Sequence, residues 1–296
     1  MKNIFPEVFG STLTLDVPKE FQPPPHRYLD YCGPWIENYF FNYWHYREQE
    51  LLQNRLIKRV YMPIFWTDYY VKHGLNKKHD AIQKFIDQKL NLEQKYFTVV
   101  QNDDGILEQL PDNILIFSSG GRGHIPIPLI KGNPHAVHAN RDILCSFMGR
   151  LDGASNRSGI RSKMFSLLRG RRGFLFGNGS MGNFIDVTSR SVFTLCPRGW
   201  GQTSFRLYES LALGSIPIYI WDEIEWLPYR DKLNWEEFSV SLNISELDRL
   251  PDLLNRHDKI TIERKRARAQ ELYREFFTLE GTCDQIARML KNETRK

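Results

Sequence analysis

At 296 residues the chain is long enough for one large core or two of ordinary size. Its 41% hydrophobic and 25% charged residues exclude the disordered class, which carries too little apolar surface to fold. A net charge of +5 is too mild to make nucleic acid the expected partner, and no stretch approaches the ~18 apolar residues of a membrane-spanning helix.

Four cysteines (Cys32, Cys145, Cys196 and Cys283) lack Cys-x-x-Cys spacing, so buried free thiols are expected rather than a zinc site or a disulfide framework. The segment from Met1 to Glu20 has acids and prolines where a signal peptide needs an apolar run. The sequence therefore reads as a cytoplasmic chain without an integral membrane segment, with a Golgi-lumen location expected only if an N-terminal anchor has been removed. On that reading the sequons at Asn156 and Asn178 carry no weight.

Along the chain, Pro23, Pro24 and Pro25 mark an irregular lead-in. Aromatic and apolar residues at helical spacing predict helix from Trp35 to Leu56. VYMPIFW, Val60 to Trp66, reads as a buried strand with Thr67 and Asp68 at its carboxyl end. A helix is expected from Asp80 to Leu92, a strand from Tyr96 to Gln101, and another strand from Asn113 that runs into the glycine loop ending at His124. After the proline- and histidine-containing stretch 125–140 a second series begins. A strand ends at Gly149 and Arg150, a helix covers Ser162 to Arg169, GFLFG forms a strand, and SVFTL enters the central segment. Helices are expected over Ser245 to Arg256, Thr261 to Phe277 and Asp284 to Lys291.

Apolar strands alternating with helices predict parallel sheets covered on both faces. The expected division is two α/β halves, residues 1–140 and 141–283, followed by 284–296 as a terminal helix able to pack back onto the first half.

The segment from Leu195 to Ile220 carries the strongest chemistry. It reads as a strand, a glycine loop, a helix opening near Ser204, a stop at Gly214 and a second strand. Backbone N–H groups at a helix start are unsatisfied and favour anions, and guanidinium groups grip phosphate oxygens. Arg198, Gly199, Thr203, Ser204 and Arg206 converge on this turn, with Glu209 one turn on, placed to accept the hydroxyls of a ribose. Ser204 as a plain helix cap and Glu209 as a surface partner of Arg206 are the competing assignments. Arg150 ends a strand, where open α/β sheets hold ligands.

Two other patterns are weaker. GNGSMG, Gly177 to Gly182, matches G-x-G-x-x-G, but the next strand starts too soon for a crossover helix and no acid follows for a ribose, so a permissive loop is expected. The acid-free run from Gly153 to Ile185 holds Arg157, Arg161, Lys163, Arg169, Arg171 and Arg172, which suits either a phosphate-lined groove or a solvated face. The basic cluster from Arg264 to Arg268 interleaves with acids and reads as a solvated amphipathic helix.

Cys196-Pro197-Arg198-Gly199, Ser204-Phe205-Arg206-Leu207, Glu209 and Leu227-Pro228-Tyr229 together resemble the signature of exostosin-like glycosyltransferases. SFMGR with Arg161, and the loop ending at His124, are similar to further segments of that family. The resemblance runs from about Asp142 to Tyr229, and Cys196-Pro197-x-Gly199-Trp200 is nearest to the xylan-synthesising branch. It implies an α/β protein of GT-B type, two Rossmann-like domains facing across a cleft. The implied activity is inverting transfer from a UDP-sugar, xylose first, to a hydroxyl of an oligosaccharide or glycoprotein, with no metal or cofactor. By position, Arg198, Arg206 and Ser204 would hold the diphosphate and Glu209 the ribose. Asp68 is the first candidate for the base such chemistry needs, and His124 the second. The alternatives are a non-catalytic polyanion-binding module, through Arg157 to Arg172 and the Arg264 to Arg268 helix, and an inactive glycosyltransferase-like partner protein.

Overall fold

The structure, a computed structural model, describes residues 13–22, 35–53, 57–75, 77–132, 134–136, 140–151, 158–178 and 181–293. The proline lead-in at Pro23 to Pro25, Cys32, Arg157 and the Asn156 sequon lie outside the described residues.

Two parallel sheets form the frame. The first is ordered β1 (Val60–Tyr61), β2 (Tyr96–Val100), β3 (Ile114–Ser118), β4 (Ile125–Pro126). All five residues of β2 are buried, as expected for an aromatic and β-branched strand covered on both faces. The second sheet comprises β5 (Ile143–Met148), β6 (Phe174–Gly177), β7 (Ser191–Pro197), β8 (Ile216–Trp221) and β9 (Val240–Asn243) in the order β6-β5-β7-β8-β9. Every registered strand pair is parallel, so the loops after the strands gather at one edge of each sheet.

Helix α1 (Ile36–Gln53) precedes the first sheet, and α2 (Trp66–His73) and α3 (Asp80–Lys89) connect β1 to β2. In the second half α4 (Ile160–Leu168), α5 (Met181–Arg190) and α6 (Phe205–Ala212) join strands, and α7 (Leu250–Asn255), α8 (Lys259–Phe276) and α9 (Leu279–Glu293) finish the chain. Among the described residues no helix is long and apolar enough to cross a membrane.

Two expected elements differ. VYMPIFW is not a continuous strand: pairing with β2 stops at Tyr61, Pro63 has no N–H to extend the ladder, and the chain turns into α2 at Trp66. Thr67 and Asp68 therefore sit in a first helical turn rather than at a strand end. The GNGSMG stretch leads into α5, whose ten residues fill the interval before β7. A compact crossover helix does follow it, although still with no acid placed for a ribose.

The main core does not respect the two sheets. Phe40 and Trp44 of α1 and Tyr61, Phe97 and Phe117 of the first sheet share a cluster with Leu207 and Tyr208 of α6, with Phe276 and Phe277, and with Ile286 of α9. Helix α9 lies on α1, where Tyr43 Oη donates to Asp284 (2.6 Å) and Arg47 pairs with the same carboxylate (3.3 Å). Its far end is tied to the first half by an Arg59–Glu293 pair at 2.5 Å. A second core lies between the second sheet and α4, and a third between the first sheet and α2–α3.

Candidate active site

The loops after β2, β4 and β7 meet in a cavity of about 500 Å³. One wall is the start of α6. Its apolar residues Leu207 and Leu211 face the main core, and Gly214, with φ +71°, ends it in the left-handed conformation that glycine adopts without strain. Ser204 is the N-cap residue in extended backbone, yet its hydroxyl makes no capping bond. Its Oγ is buried without a partner among the described residues, as is Nε of Arg206. Both residues line the cavity. A buried polar atom without a partner is costly, so two beside one helix start mark a place built for a polar ligand.

Arg206 lies between two aromatic rings, its guanidinium 5.0 Å from the centroids of Phe147 and Phe184. Gly149 makes this possible: a Cβ there would stand 2.9 Å from an Arg206 nitrogen. Arg161, on the first turn of α4, reaches the same cavity and is anchored to the backbone carbonyls of Arg150 (3.1 Å) and Arg198 (3.4 Å). Burial and the neighbouring Arg206 lower its pKa to about 10. Glu209 holds Lys131, which arrives from the loop after β4, at 3.2 Å.

The facing wall is the loop after β2, Asn102 to Asp104. Trp200 Nε1 donates to Asp104 Oδ2 at 2.9 Å, and Gln202 N donates to Gly120 O at 2.8 Å, so loops of the two sheets are bonded directly. Asp103 accepts from Gly201 N–H. Desolvation and the adjacent Asp104 nevertheless raise its pKa from 3.8 to about 6, against the pull of Arg198 and Arg161. A carboxylate so raised, opposite two arginines and a helix start, has the protonation range of a general acid–base group.

Of the residues singled out from sequence, Gly199, Thr203, Ser204, Arg206 and Glu209 line this cavity together with Arg161. Arg198 does not. Its guanidinium pairs with Asp222 at 2.7 Å and Glu223 at 3.3 Å and donates to the carbonyls of Gly201 (2.9 Å) and Trp200 (3.1 Å). These contacts hold the loop from Gly199 to Gln202. Arg150 is exposed and contributes its backbone carbonyl to Arg161.

Asp68 and His124 are also outside the lining. Asp68 is buried inside α2 beside Glu37, because β1 ends well before the hydrophobic run does. His124 is exposed at the start of β4, where its Nδ1 accepts from Ile116 N at 3.0 Å. Asp103, Asp104 and Lys131 were missed. The available signal was an acidic pair closely following the apolar strand YFTVV, at the end where parallel sheets place their ligands.

The acid-free basic run divides. Arg161 turns inward, whereas Lys163, Arg169, Arg171 and Arg172 are exposed, with Arg169 over the Phe165 ring at 5.4 Å. The cluster on α8 is occupied: Lys265 donates to the carbonyls of Glu236 and Ser239, Arg266 pairs with Glu263 and Arg268 with Glu237. Among the described residues no group of three or more His, Cys, Asp or Glu is arranged to hold a metal ion.

Residues 118–257 match the Exostosin GT47 domain. A probable glucuronosyltransferase of Oryza sativa subsp. japonica is 32% identical over 166 residues, which cover 49% of this chain and 38% of that protein. A probable glucuronoxylan glucuronosyltransferase of Arabidopsis thaliana is 34% identical over 119 residues, covering 38% of this chain and 25% of that protein. A probable beta-1,4-xylosyltransferase of the same plant is 28% identical over 167 residues, covering 49% and 40%. The chain thus spans less than half the length of these relatives. Among solved structures, a glycosyltransferase from Rickettsia africae ESF-5 aligns over 88% of this chain and 82% of its own with TM-score 0.45 and 11% identity. The pneumococcal O-GlcNAc transferase GtfA, in complex with UDP and GlcNAc, aligns over 83% and 54% with TM-score 0.39 and 12% identity. The matched stretch contains the α6 wall of the cavity, the SFMGR strand and Leu227-Pro228-Tyr229, so it is over these segments that the chain is similar to the exostosin-like GT47 proteins.

Proposed function

We propose that the protein is an inverting glycosyltransferase that moves a sugar from a UDP-sugar to a hydroxyl of a glycan or glycoprotein acceptor. The observation that carries this reading is the pair of unpartnered buried atoms, Ser204 Oγ and Arg206 Nε, lining the same cavity as a carboxylate with pKa about 6. In this reading the diphosphate rests on the start of α6, with Arg206 and Arg161 supplying positive charge and the Ser204 hydroxyl donating. Glu209 exchanges Lys131 for the ribose hydroxyls.

Asp103 removes the proton from the acceptor hydroxyl. That oxygen bonds to the anomeric carbon from the face opposite the diphosphate, the bond from this carbon to the phosphate oxygen breaks, and UDP leaves with the electron pair. The two guanidinium groups and the helix dipole take up the charge that develops on the diphosphate, so the reading assigns leaving-group stabilisation to the protein itself. UDP-xylose is the first donor candidate, because the Cys-Pro-x-Gly-Trp motif is nearest to the xylan branch. UDP-glucuronate is the competitor, given the names of the relatives.

Calorimetric titration with UDP-xylose and UDP-glucuronate tests the site. Arg206→Ala is expected to weaken donor binding about 10- to 100-fold, the worth of a charged hydrogen bond. Unchanged affinity overturns the assignment. Inversion is read from the anomeric configuration of the product by NMR, and a retained configuration removes it.

A further inference from the structure

The loop that carries Asp103 is held by a residue from a distant part of the chain. Glu37, in the first turn of α1, is 2% exposed. Its carboxylate accepts from Gln101 N at 2.7 Å, from Thr67 Oγ1 at 2.5 Å and from Thr67 N at 3.1 Å. Gln101 returns the contact, its Oε1 accepting from Ile36 N at 2.9 Å. The start of α1 and the residue after β2 are therefore bonded reciprocally, one backbone N–H to one side-chain oxygen in each direction. This is the arrangement of a capping box, made here between elements 65 residues apart.

The reciprocal pair acts on the first residue of the loop, and the loop is pinned from the other side as well. A Cβ on Gly120 would collide with Asn102 O and stand 2.7 Å from Asp103 Cα, and one on Gly201 would stand 2.9 Å from Asp103 Oδ1. Asn102 Nδ2 closes the turn onto Gly105 O at 2.8 Å. Between these fixed points Asp103 has little room to move. A carboxylate buried for packing alone is an expensive choice at position 37, and three donors converging on it indicate a holding function.

We infer that Glu37 is a positioning residue for transfer, fixing through Gln101 the loop that presents Asp103 to the acceptor hydroxyl. It touches neither donor nor acceptor, so its loss should lower kcat and leave donor affinity alone. The inference rests on the reading of Asp103 as the base.

The experiment compares Glu37→Leu, Glu37→Gln, Gln101→Leu and Asp103→Asn in turnover and in calorimetric donor binding. Glu37→Leu is expected to lose between about ten- and a hundred-fold in kcat, the usual scale for a misplacement near 1 Å, with an unchanged donor Kd. Glu37→Gln keeps an oxygen for Gln101 N and should recover most of the rate. Gln101→Leu removes only the return bond to Ile36 and should lose rate in the same sense, which keeps the test sound if Glu37→Leu does not fold. Full turnover in Glu37→Leu or Gln101→Leu, or a matching loss of donor affinity in either, overturns the positioning role. Full turnover in Asp103→Asn overturns the base assignment, whatever Glu37 does.

Discussion

Two carboxyl groups have pKa values raised mainly by burial, and they make opposite demands on pH. Asp103 has to be ionised to act as a base, so kcat should rise as pH passes through about 6. Its folded pKa lies above the unfolded value of 3.8, so the contribution of this group to stability is complete below 3.8 and is lost as pH rises through about 6. Glu37, raised from 4.5 to about 8, continues that loss to higher pH. Stability measured by denaturant titration is therefore expected to fall from about pH 4 to about pH 8, the span set by these two shifts, and the Asp103→Asn, Glu37→Gln double variant should flatten the decline. Asp103→Asn alone should lose roughly 10²- to 10⁴-fold in turnover while retaining donor binding. An acid limb that persists with the same midpoint in a residually active Asp103→Asn variant would assign the ionisation to another group.

At the scale of the element, α6 opens on a serine that does not cap it. Capping serines normally contribute about 1 kcal/mol through a bond to the first turn. Ser204 makes no such bond, and its hydroxyl is held back in the cavity wall. Ser204→Ala should accordingly cost less than about 0.5 kcal/mol in thermal or denaturant unfolding, yet weaken donor binding about five-fold. A full capping loss with unaltered binding would make Ser204 an ordinary cap. The same helix explains why the motif is readable: Leu207 and Leu211 must face the core, Gly214 must stop the chain, and Arg206 then has one direction left, between Phe147 and Phe184.

At the scale of the molecule, the main core contains residues of both sheets together with α1, α6 and α9. Neither half closes its own apolar surface, so unfolding should be a single calorimetric transition rather than two. Ile286 of α9 is fully buried in that core, and Ile286→Ala is expected to cost about 2–5 kcal/mol while shifting the whole transition. Two resolved transitions, with only one displaced, would show that the halves unfold independently. The tie is also chemical, because Asp103 on one side and Arg206 on the other line one cavity, and the bonds Trp200–Asp104 and Gln202–Gly120 keep them there.

Much of this was legible in the chain. Periodicity located most helices and strands, since apolar residues facing a layer repeat at the spacing of the element that carries them. The loop and helix from Arg198 to Glu209 read as a candidate anion site because its glycines, hydroxyls and arginines are neighbours in sequence. The end of β1 was misread because the run from Val60 to Trp66 is apolar whether it pairs or turns, and only the missing ladder beyond Tyr61 ends the strand. Which charges are free was likewise undecidable locally. Arg198 is consumed by Asp222 and Glu223, far along the chain beyond α6 and β8, whereas Arg206 keeps an unpartnered nitrogen. The candidate base moved from Asp68 to Asp103 for the same reason. The sequence by itself determined two parallel α/β layers and a helix start with the composition of an anion site, because those follow from local spacing and backbone geometry. Only the tertiary structure decided which carboxylate faces that helix, because burial, ion pairing and a raised pKa arise between residues that the fold, not the chain, makes neighbours.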